Sequence, residues 1–341
     1  MVAFVRGRWR AMPIEFVSDM QQCYNRTVDL LTGPEPGFLS RIGGSDTDAV
    51  VDYFAAIQDA SPVHILEERV LSHAGIITQF NGYYDKDGSD EKMLRFCSDM
   101  LGLYRQCDTL TICQPDWLTT FFPESLHPTL HVPAGDKSQV YRDLLTSIAD
   151  HQGRVSVWPY TFIERIVEGQ WTLFRAFSET LCGRRILVVS PFGNSIGINF
   201  DKRRHFFKNY DYPEFELITL NVPITYAGLP DDHYPDHDWF ATAAALQRQV
   251  QRLDFDIALL GCGSYAMPLG VFIEQTMRRK AVFVGGVLQL FFGIFGRRYM
   301  NQYFLDQINA EHFIRPIEAD RYRAQVNVAE NYPRDAFGAY F

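Results

Sequence analysis

The chain has 341 residues, of which 47% are hydrophobic and 21% charged, and its net charge is −9. These values are typical of a globular protein and exclude a largely disordered chain, while the acidic balance disfavours nucleic acid as a partner. No apolar run reaches about 18 residues and the start lacks a signal-peptide pattern, so we expect a cytoplasmic protein, with peripheral contact at the inner membrane face as an alternative. The six cysteines form no CxxC pair, which predicts free thiols.

The first half of the chain combines helix patterns with one clear glycine turn. Apolar residues at three- and four-residue spacing predict a helix over residues 15–31. Residues 38–42 predict a short strand, which Gly43-Gly44 ends, and residues 47–57 predict a helix that Ser45 or Asp46 caps. The other predicted elements are helices over residues 91–104, 137–151 and 164–181, strands over 108–113 and 155–158, and an irregular loop over 115–133.

The second half shows more regular alternation of strands and helices. Strands are predicted over residues 185–190, 215–220, 257–260 and 281–284, helices over 240–253 and 265–279, and a polar loop over 226–238. Three of the strands end at glycines: at Gly193, at Gly261 and at Gly285-Gly286. The last two strands and the helix between them form a βαβ unit, whose strands are parallel.

This order predicts an α/β fold, Rossmann-like, with a mostly parallel twisted sheet and helices on both faces. We divide the chain into a helical lead-in (residues 1–36), an N-terminal α/β half (37–183) and a C-terminal Rossmann-like half (184–341). Ligands of open α/β sheets bind outside the carboxyl ends of the strands. The candidate site residues are therefore expected at the turns that follow the strands.

Backbone N–H groups in these turns are candidates for binding a diphosphate, since glycine allows close approach and a helix N-terminus favours an anion. The candidates are Ser190, Asn194, Ser195, Gly261, Gly263 and Ser264. Alternatively, the glycines only allow a strand to turn into a helix. The pattern is not a complete GxGxxG, because Ala266 stands at the third glycine, and this disfavours a nicotinamide cofactor.

Three further features carry a possible chemical role. Asp46 and Asp48 could together hold a divalent cation on a diphosphate, or they only favour the helix N-terminus. Gln289, within an apolar run, either closes a backbone hydrogen bond or contacts a ligand. Arg297 could bind phosphate or cap a helix.

Several motifs together resemble a known family. In chain order they are FLSRIGGSD, RILVVSPFGNSI, DIALLGCGSYAMPLG and GGVLQLFFGIFGRR. They resemble the motifs R-x-G-x-x-E/D, VSPF-x-x-SI, G-x-G-x-Y and GG-x-x-Q-x-x-FGI of bacterial proteins with a GT-D-type glycosyltransferase fold. The resemblance covers most of residues 38–315 and is strongest over 185–299.

The resemblance implies a nucleotide-sugar donor, a glycan, lipid-linked glycan or glycoprotein acceptor, and Mn²⁺ or Mg²⁺ bound at Asp46. Asp48, which the spacing of the two acids brings in, could compensate for a missing ligand. It implies catalytic roles for Arg41 and Asp46. It also implies donor contacts from a set of residues in the turns, namely Gly43, Gly44, Ser45, Tyr265, Gly285, Gly286, Gln289 and Arg297. The best understood members carry R-x-GDGE, whereas this chain has Gly44-Ser45-Asp46, so the first acid is missing.

We thus expect a glycosyltransferase of surface-polysaccharide biosynthesis. The alternatives are a binding or scaffold protein of the same fold that has lost catalysis, and a phosphate-ester hydrolase that uses the same carboxylates.

Overall fold

The computed structural model describes residues 14–43, 45–112, 121–122, 137–159, 177–210, 212–225, 234–296 and 302–318. In these ranges eight strands form one sheet in the order β1-β4-β3-β2-β8-β7-β5-β6, and every pairing is parallel. The strands are β1 (Ile14–Phe16), β2 (Gly37–Ile42), β3 (Thr109–Ile112), β4 (Val155–Pro159), β5 (Arg185–Ser190), β6 (Glu216–Asn221), β7 (Ile257–Leu260) and β8 (Lys280–Phe283).

Helices cover both faces of the sheet, as the predicted fold class requires. They are α1 (Met20–Thr32), α2 (Ser45–Gln58), α3 (Val63–Leu71), α4 (Ala74–Phe80), α5 (Asp90–Tyr104), α6 (Ser138–Gln152), α7 (Gly193–Asn199), α8 (Trp239–Val250), α9 (Ala266–Gln275), α10 (Leu288–Phe291) and α11 (Gln302–Gln307). One buried cluster joins the sheet to α2, α5, α6, α8 and α9, and a second joins its other face to α1, α7 and α10. The prediction of an α/β fold with a parallel sheet is confirmed.

Alternation along the strands explains these two layers. In β2, Phe38 and Ile42 belong to one cluster, while Leu39 belongs to the other. Successive side chains of a strand point to opposite faces, so a run that is apolar at nearly every position is buried on both. Each of the three divisions of the chain contributes strands to this one sheet: β1 from the lead-in, β2 to β4 from the N-terminal half and β5 to β8 from the C-terminal half.

The helix predicted over residues 15–31 starts too early. Ile14–Phe16 is a strand that pairs with β4, and α1 begins at Met20, where the Asp19 side chain caps it by accepting a hydrogen bond from the Gln22 N–H at 2.9 Å. A salt bridge between Arg26 and Glu15, 2.6 Å between Nη2 and Oε1, ties α1 to β1. The helical spacing of apolar residues therefore extends back into β1, although the Asp19 cap marks the true start of the helix.

Other predicted elements agree with the structure within a few residues, but the helices α3, α4, α7 and α10 were not predicted. The predicted loop over 115–133 and helix over 164–181 lie largely outside the described residues, as does much of the loop over 226–238. Five cysteines of the described ranges are free. None of the described helices is long and apolar enough to cross a bilayer.

Helix α9 lies unusually close to the central strand β2. A Cβ built on Gly270 would stand 2.1 Å from Cζ of Phe38, which is 1% exposed. A methyl group therefore has no room unless the helix or the ring moves. This contact fixes how α9 and its preceding turn lie on the sheet.

We predict that Gly270→Ala lowers the free energy of unfolding by about 1–3 kcal/mol, since overpacking a tight core forces side chains and backbone to shift. Gly102→Ala is the matched control: Gly102 is also inside a helix, α5, but a Cβ there meets no atom within 4 Å. Alanine should raise the free energy of unfolding there by up to about 1 kcal/mol. Urea unfolding measures both, and equal effects would contradict the packing argument.

Candidate functional site at the carboxyl edge of the sheet

The carboxyl end of β2 carries Arg41 and leads directly into α2. The guanidinium carbon of Arg41 lies 5.4 Å from the ring centroid of Phe283, which ends the neighbouring strand β8. Gly43 follows with φ 151°, a backbone conformation that favours glycine. Helix α2 begins already at Ser45, which places Asp46 and Asp48 in its first turn.

Asp46 is the buried acid of this turn, with 7% of its surface exposed. Burial raises the pKa of Asp46 from its ordinary value of 3.8 to about 6, against the opposing effects of its own backbone N–H, of Arg41 and of Asn81. Asp48 is half-buried, and its charge contributes further to the raised pKa. The site therefore holds a carboxylate that is ionised at neutral pH but close to protonation.

Asn81 connects this acid to the turn after β7. Its Nδ2 donates to Oδ1 of Asp46 at 2.5 Å, and its backbone carbonyl accepts from the N–H of Ser264 at 3.0 Å and from the Ser264 hydroxyl at 2.7 Å. Gly263 has φ +59°, and a Cβ there would lie 2.8 Å from the Asn81 carbonyl oxygen. The strand-end turns of β2 and β7, which flank β8, are thus held in one hydrogen-bonded unit.

Ser264 and Tyr265 are buried, and protein groups contact their polar atoms. The indole N–H of Trp239 donates to the Ser264 hydroxyl at 2.8 Å. The Tyr265 hydroxyl lies 3.1 Å from that of Thr225, which donates to the carbonyl of Gly82 at 2.5 Å. Ser264 and Tyr265, which the sequence analysis assigned to donor binding, thus help to hold residues 81–82 in place.

The turns after β7 and β8 touch each other. A Cβ on Gly261 would lie 2.9 Å from the carbonyl oxygen of Gly285, whose φ is +72°. Gly286 follows in the same short turn. Gln289 is 2% exposed and its Nε2 donates to the carbonyl of Phe295 at 2.9 Å, which is the backbone contact that we considered as one of its two roles.

In the turn after β5, a carboxylate of the chain itself, that of Glu318, is hydrogen-bonded to Ser195. The backbone N–H of Ser195 donates to Oε1 of Glu318 at 3.1 Å and its hydroxyl donates to Oε2 of the same carboxylate. Ser190 accepts from the N–H of Phe192, and the N–H of Asn194 donates to Asn221 at 2.9 Å. A carboxylate of the chain therefore occupies the N–H of Ser195 that the sequence analysis assigned to a phosphate.

A cavity of about 700 Å³ opens beside this turn, at the carboxyl ends of β5 and β6 and along α8. Neighbouring strands lie about 4.8 Å apart, so three strand spacings put the end of β5 about 14 Å from the end of β2. The cavity and Asp46 consequently lie at the same edge of the sheet but at separate positions along it. This size is within the range of small-ligand pockets.

The described residues include no group of three or more His, Cys, Asp and Glu side chains placed to hold a metal ion. Asp46 and Asp48 alone would supply two carboxylates. Mg²⁺ is commonly bound by one or two carboxylates together with substrate phosphates and water. An ion that arrives with a diphosphate would therefore need no more than one or two carboxylates from this turn.

Gly44 and Arg297 lie outside the described residues. Asn81, Trp239 and Glu318 were not anticipated as parts of the site. The dipeptide Asn81-Gly82 is a turn signal that marks a chain reversal there. The sequence carried no local signal for Glu318, because its partner Ser195 lies 123 residues away. Cys262, between two glycines, is buried, and burial raises the pKa of its thiol, which disfavours a nucleophilic thiolate.

The fold and the site define an α/β protein with an open parallel sheet and charged side chains at its carboxyl edge. No protein-family model matches the chain, and no curated protein matches it. Among solved structures, it is similar to a glycosyltransferase from Streptococcus sanguinis with domain of unknown function 1792, at 15% identity and a TM-score of 0.40, over 80% of this chain and 82% of that one.

Two further structures of the same domain show comparable similarity. One, described as a highly conserved domain with a distinct glycosyltransferase fold, has 11% identity and a TM-score of 0.38 over 91% of this chain and 94% of that one. The other, a selenomethionine-substituted domain, has 13% identity and a TM-score of 0.38 over 81% and 79%. At such low values the likeness carries no argument about function, for which the site itself must provide the basis.

We predict that Asp46→Asn stabilises the protein above pH 6. The folded protein binds the Asp46 proton more tightly than the unfolded chain, so stability falls as the pH rises from about 4 to about 6 and stays lower above that. The substitution removes this cost, a gain of about 3 kcal/mol at pH 8 that shrinks as the pH falls through 6. Urea unfolding at several pH values measures it.

Asp52→Asn is the control on the same helix. Burial alone would raise the pKa of Asp52, but its hydrogen bonds to His73 and Lys137, each 2.7 Å, outweigh burial and lower it. Its substitution should therefore destabilise the protein at pH 8, by about 1–3 kcal/mol. If Asp46→Asn were equally destabilising at pH 8, the assignment of a costly buried charge to Asp46 would be wrong.

Proposed function

We propose that the protein is a glycosyltransferase that moves a sugar from a nucleotide-sugar donor to a glycan or glycoprotein acceptor in the cytoplasm. The observation that carries the proposal is the buried carboxylate of Asp46, which lies near Arg41 at the carboxyl end of a central parallel strand. An acid with a strongly shifted pKa at the carboxyl end of a parallel strand is a candidate for a functional group. The ordered motifs of the sequence support the same reading.

In this mechanism Arg41 binds the diphosphate of the donor and stabilises the negative charge that grows on it as the glycosidic bond breaks. Phe283 restricts the Arg41 side chain from the neighbouring strand. Asp46 and Asp48 would hold a Mg²⁺ or Mn²⁺ ion, which when bound neutralises the leaving diphosphate. Asn81 fixes the Asp46 carboxyl in position by its hydrogen bond.

The occupied donors of the other turns limit where the diphosphate can lie. The N–H of Ser264 bonds to Asn81, and the N–H of Ser195 bonds to Glu318. The proposed donor position is therefore at the end of β2, where Arg41 supplies positive charge. Phosphate contacts by Ser195 and Ser264 remain predictions that would require these bonds to break.

A second candidate function is donor binding without transfer. It is favoured by the position two residues before Asp46, where the chain has Gly44 instead of the first acid of the Asp-x-Glu element. One carboxylate fewer weakens the hold on a divalent cation. Both candidate functions require binding of the nucleotide sugar, but only the first requires that the bound donor is turned over. Measuring donor binding and donor hydrolysis on the same protein therefore separates them.

We predict that the purified protein binds a nucleoside diphosphate sugar in the presence of Mn²⁺ and, with no other acceptor added, slowly transfers the sugar to water, which releases nucleoside diphosphate. Calorimetry with a panel of nucleotide sugars measures binding, and a coupled assay measures release. Arg41→Gln should lower turnover by about 10²–10³-fold, since it removes charge stabilisation in the transition state.

Arg95→Gln is the matched control, because Arg95 also lies over an aromatic ring, 4.2 Å from the centroid of Phe240, but on the exposed face of α5. It should leave turnover unchanged. If none of the tested donors binds to correctly folded protein, the proposed function is excluded. Binding without release would favour the second candidate.

A further inference from the structure

The cavity at the ends of β5 and β6 is lined by amide, acidic and aliphatic side chains. Its polar side chains include Asn194, Asn221 and Gln249, which carry amide donors and acceptors, and the acids Asp236 and Glu318. Its apolar part includes Leu246 of α8. A ligand here meets several hydrogen-bonding groups around an aliphatic surface.

The backbone of the wall supplies acceptors more readily than donors. Three prolines line the cavity, at positions 191, 223 and 235, and proline has no N–H. The Asp236 carboxylate accepts from the Thr242 hydroxyl at 2.9 Å, and the Glu318 carboxylate accepts from Ser195. The wall is thus rich in oxygen acceptors, which suits a ligand that brings its own O–H donors.

The charges of the described lining residues disfavour a phosphate as the occupant. No described residue that lines the cavity is Lys, Arg or His, whereas two of them are acids. The backbone N–H of Ser195, which could attract an anion, already donates to Glu318. An anionic ligand would therefore enter a negative field without a cation to compensate for it.

Among the described residues, the wall also offers no aromatic ring on which a nucleobase could stack. None of the lining residues in the described ranges is aromatic, and nucleobases are commonly bound by stacking on aromatic or Arg side chains. The remaining chemistry is that of an uncharged, hydroxyl-rich ring, whose hydroxyls bond to the amides and acids and whose C–H faces pack on the aliphatic part. The volume of about 700 Å³ accommodates such a ligand.

We propose that this cavity binds the uncharged saccharide acceptor, separately from the donor position at Arg41 and Asp46. The assignment rests on the proposed function for its role as an acceptor site, while the binding itself does not require transfer. Donor and acceptor sites then share the carboxyl edge of one sheet, about three strand spacings apart.

The test measures saccharide binding in the absence of any nucleotide. Saturation-transfer NMR and calorimetry on the full chain use maltotriose, cellotriose and chitotriose at up to about 10 mM, with UMP and spermidine as charged probes. We expect at least one trisaccharide to bind to the wild type. Ala245→Trp fills the cavity from α8 and should weaken that binding at least about tenfold.

Ala244→Trp is the matched control, because Ala244 is the preceding residue of the same helix and is not part of the cavity wall. A second pair, Gln249→Trp on the wall and Arg248→Trp outside it, repeats the comparison at two exposed positions. Thermal unfolding checks that each variant folds.

The site assignment is overturned if no trisaccharide binds to the folded wild type, or if the wall variants and their controls bind equally well. Binding of UMP or spermidine that only the wall variants lose would overturn the ligand class. Failure of donor turnover with intact saccharide binding would instead contradict the proposed function alone.

Discussion

The arrangement of the candidate site depends on the hydrogen bonds of one residue, Asn81. Its side chain holds the Asp46 carboxyl and its carbonyl holds Ser264, so it joins the turns of two strands that flank β8. Gly82 follows with φ +81°. Its carbonyl accepts a hydrogen bond from the Thr225 hydroxyl, which holds this turn from a second segment of the chain. Because these bonds lie in a buried environment, a lost partner would leave an unsatisfied polar group at a cost of about 1–3 kcal/mol. The position of the acid is thereby coupled to a turn more than two hundred residues away along the chain.

The burial of Asp46 also makes the ionised form of its carboxyl group costly in free energy. A carboxyl that is 7% exposed resists ionisation, and Arg41 compensates for only part of that cost, since the pKa remains raised. Proteins retain such local conflicts mainly at functional sites, where a perturbed group serves binding or catalysis. Asp52, six residues further along α2, shows the opposite case: hydrogen bonds from His73 and Lys137 outweigh its burial and lower its pKa. The contrast between two acids of one helix argues that the environment of Asp46 is not a general property of α2.

Local signals made much of the fold predictable from the sequence. Apolar runs that end at glycines identified β2, β5, β7 and β8, and the βαβ order implied parallel strands with one functional edge. The early start predicted for α1 was wrong because helical spacing continued through β1, whose extended state depends on pairing with β4, more than a hundred residues away. The partners of the site were equally remote: Ser264 is 183 residues from Asn81, and Ser195 is 123 from Glu318. No pattern of spacing along the chain encodes such contacts, so the glycines and serines were assigned to a ligand when protein atoms contact several of them.

The central claim is that the donor diphosphate binds at the end of β2, between Arg41 and the acids of α2. A crystal structure of the protein with a nucleoside diphosphate and Mn²⁺, with anomalous data to locate the metal, tests it most directly. The account predicts diphosphate oxygens within hydrogen-bonding distance of the Arg41 guanidinium and a manganese peak beside the Asp46 carboxylate. A diphosphate bound at Ser195 in place of the Glu318 carboxylate, with no metal at Asp46, would contradict it.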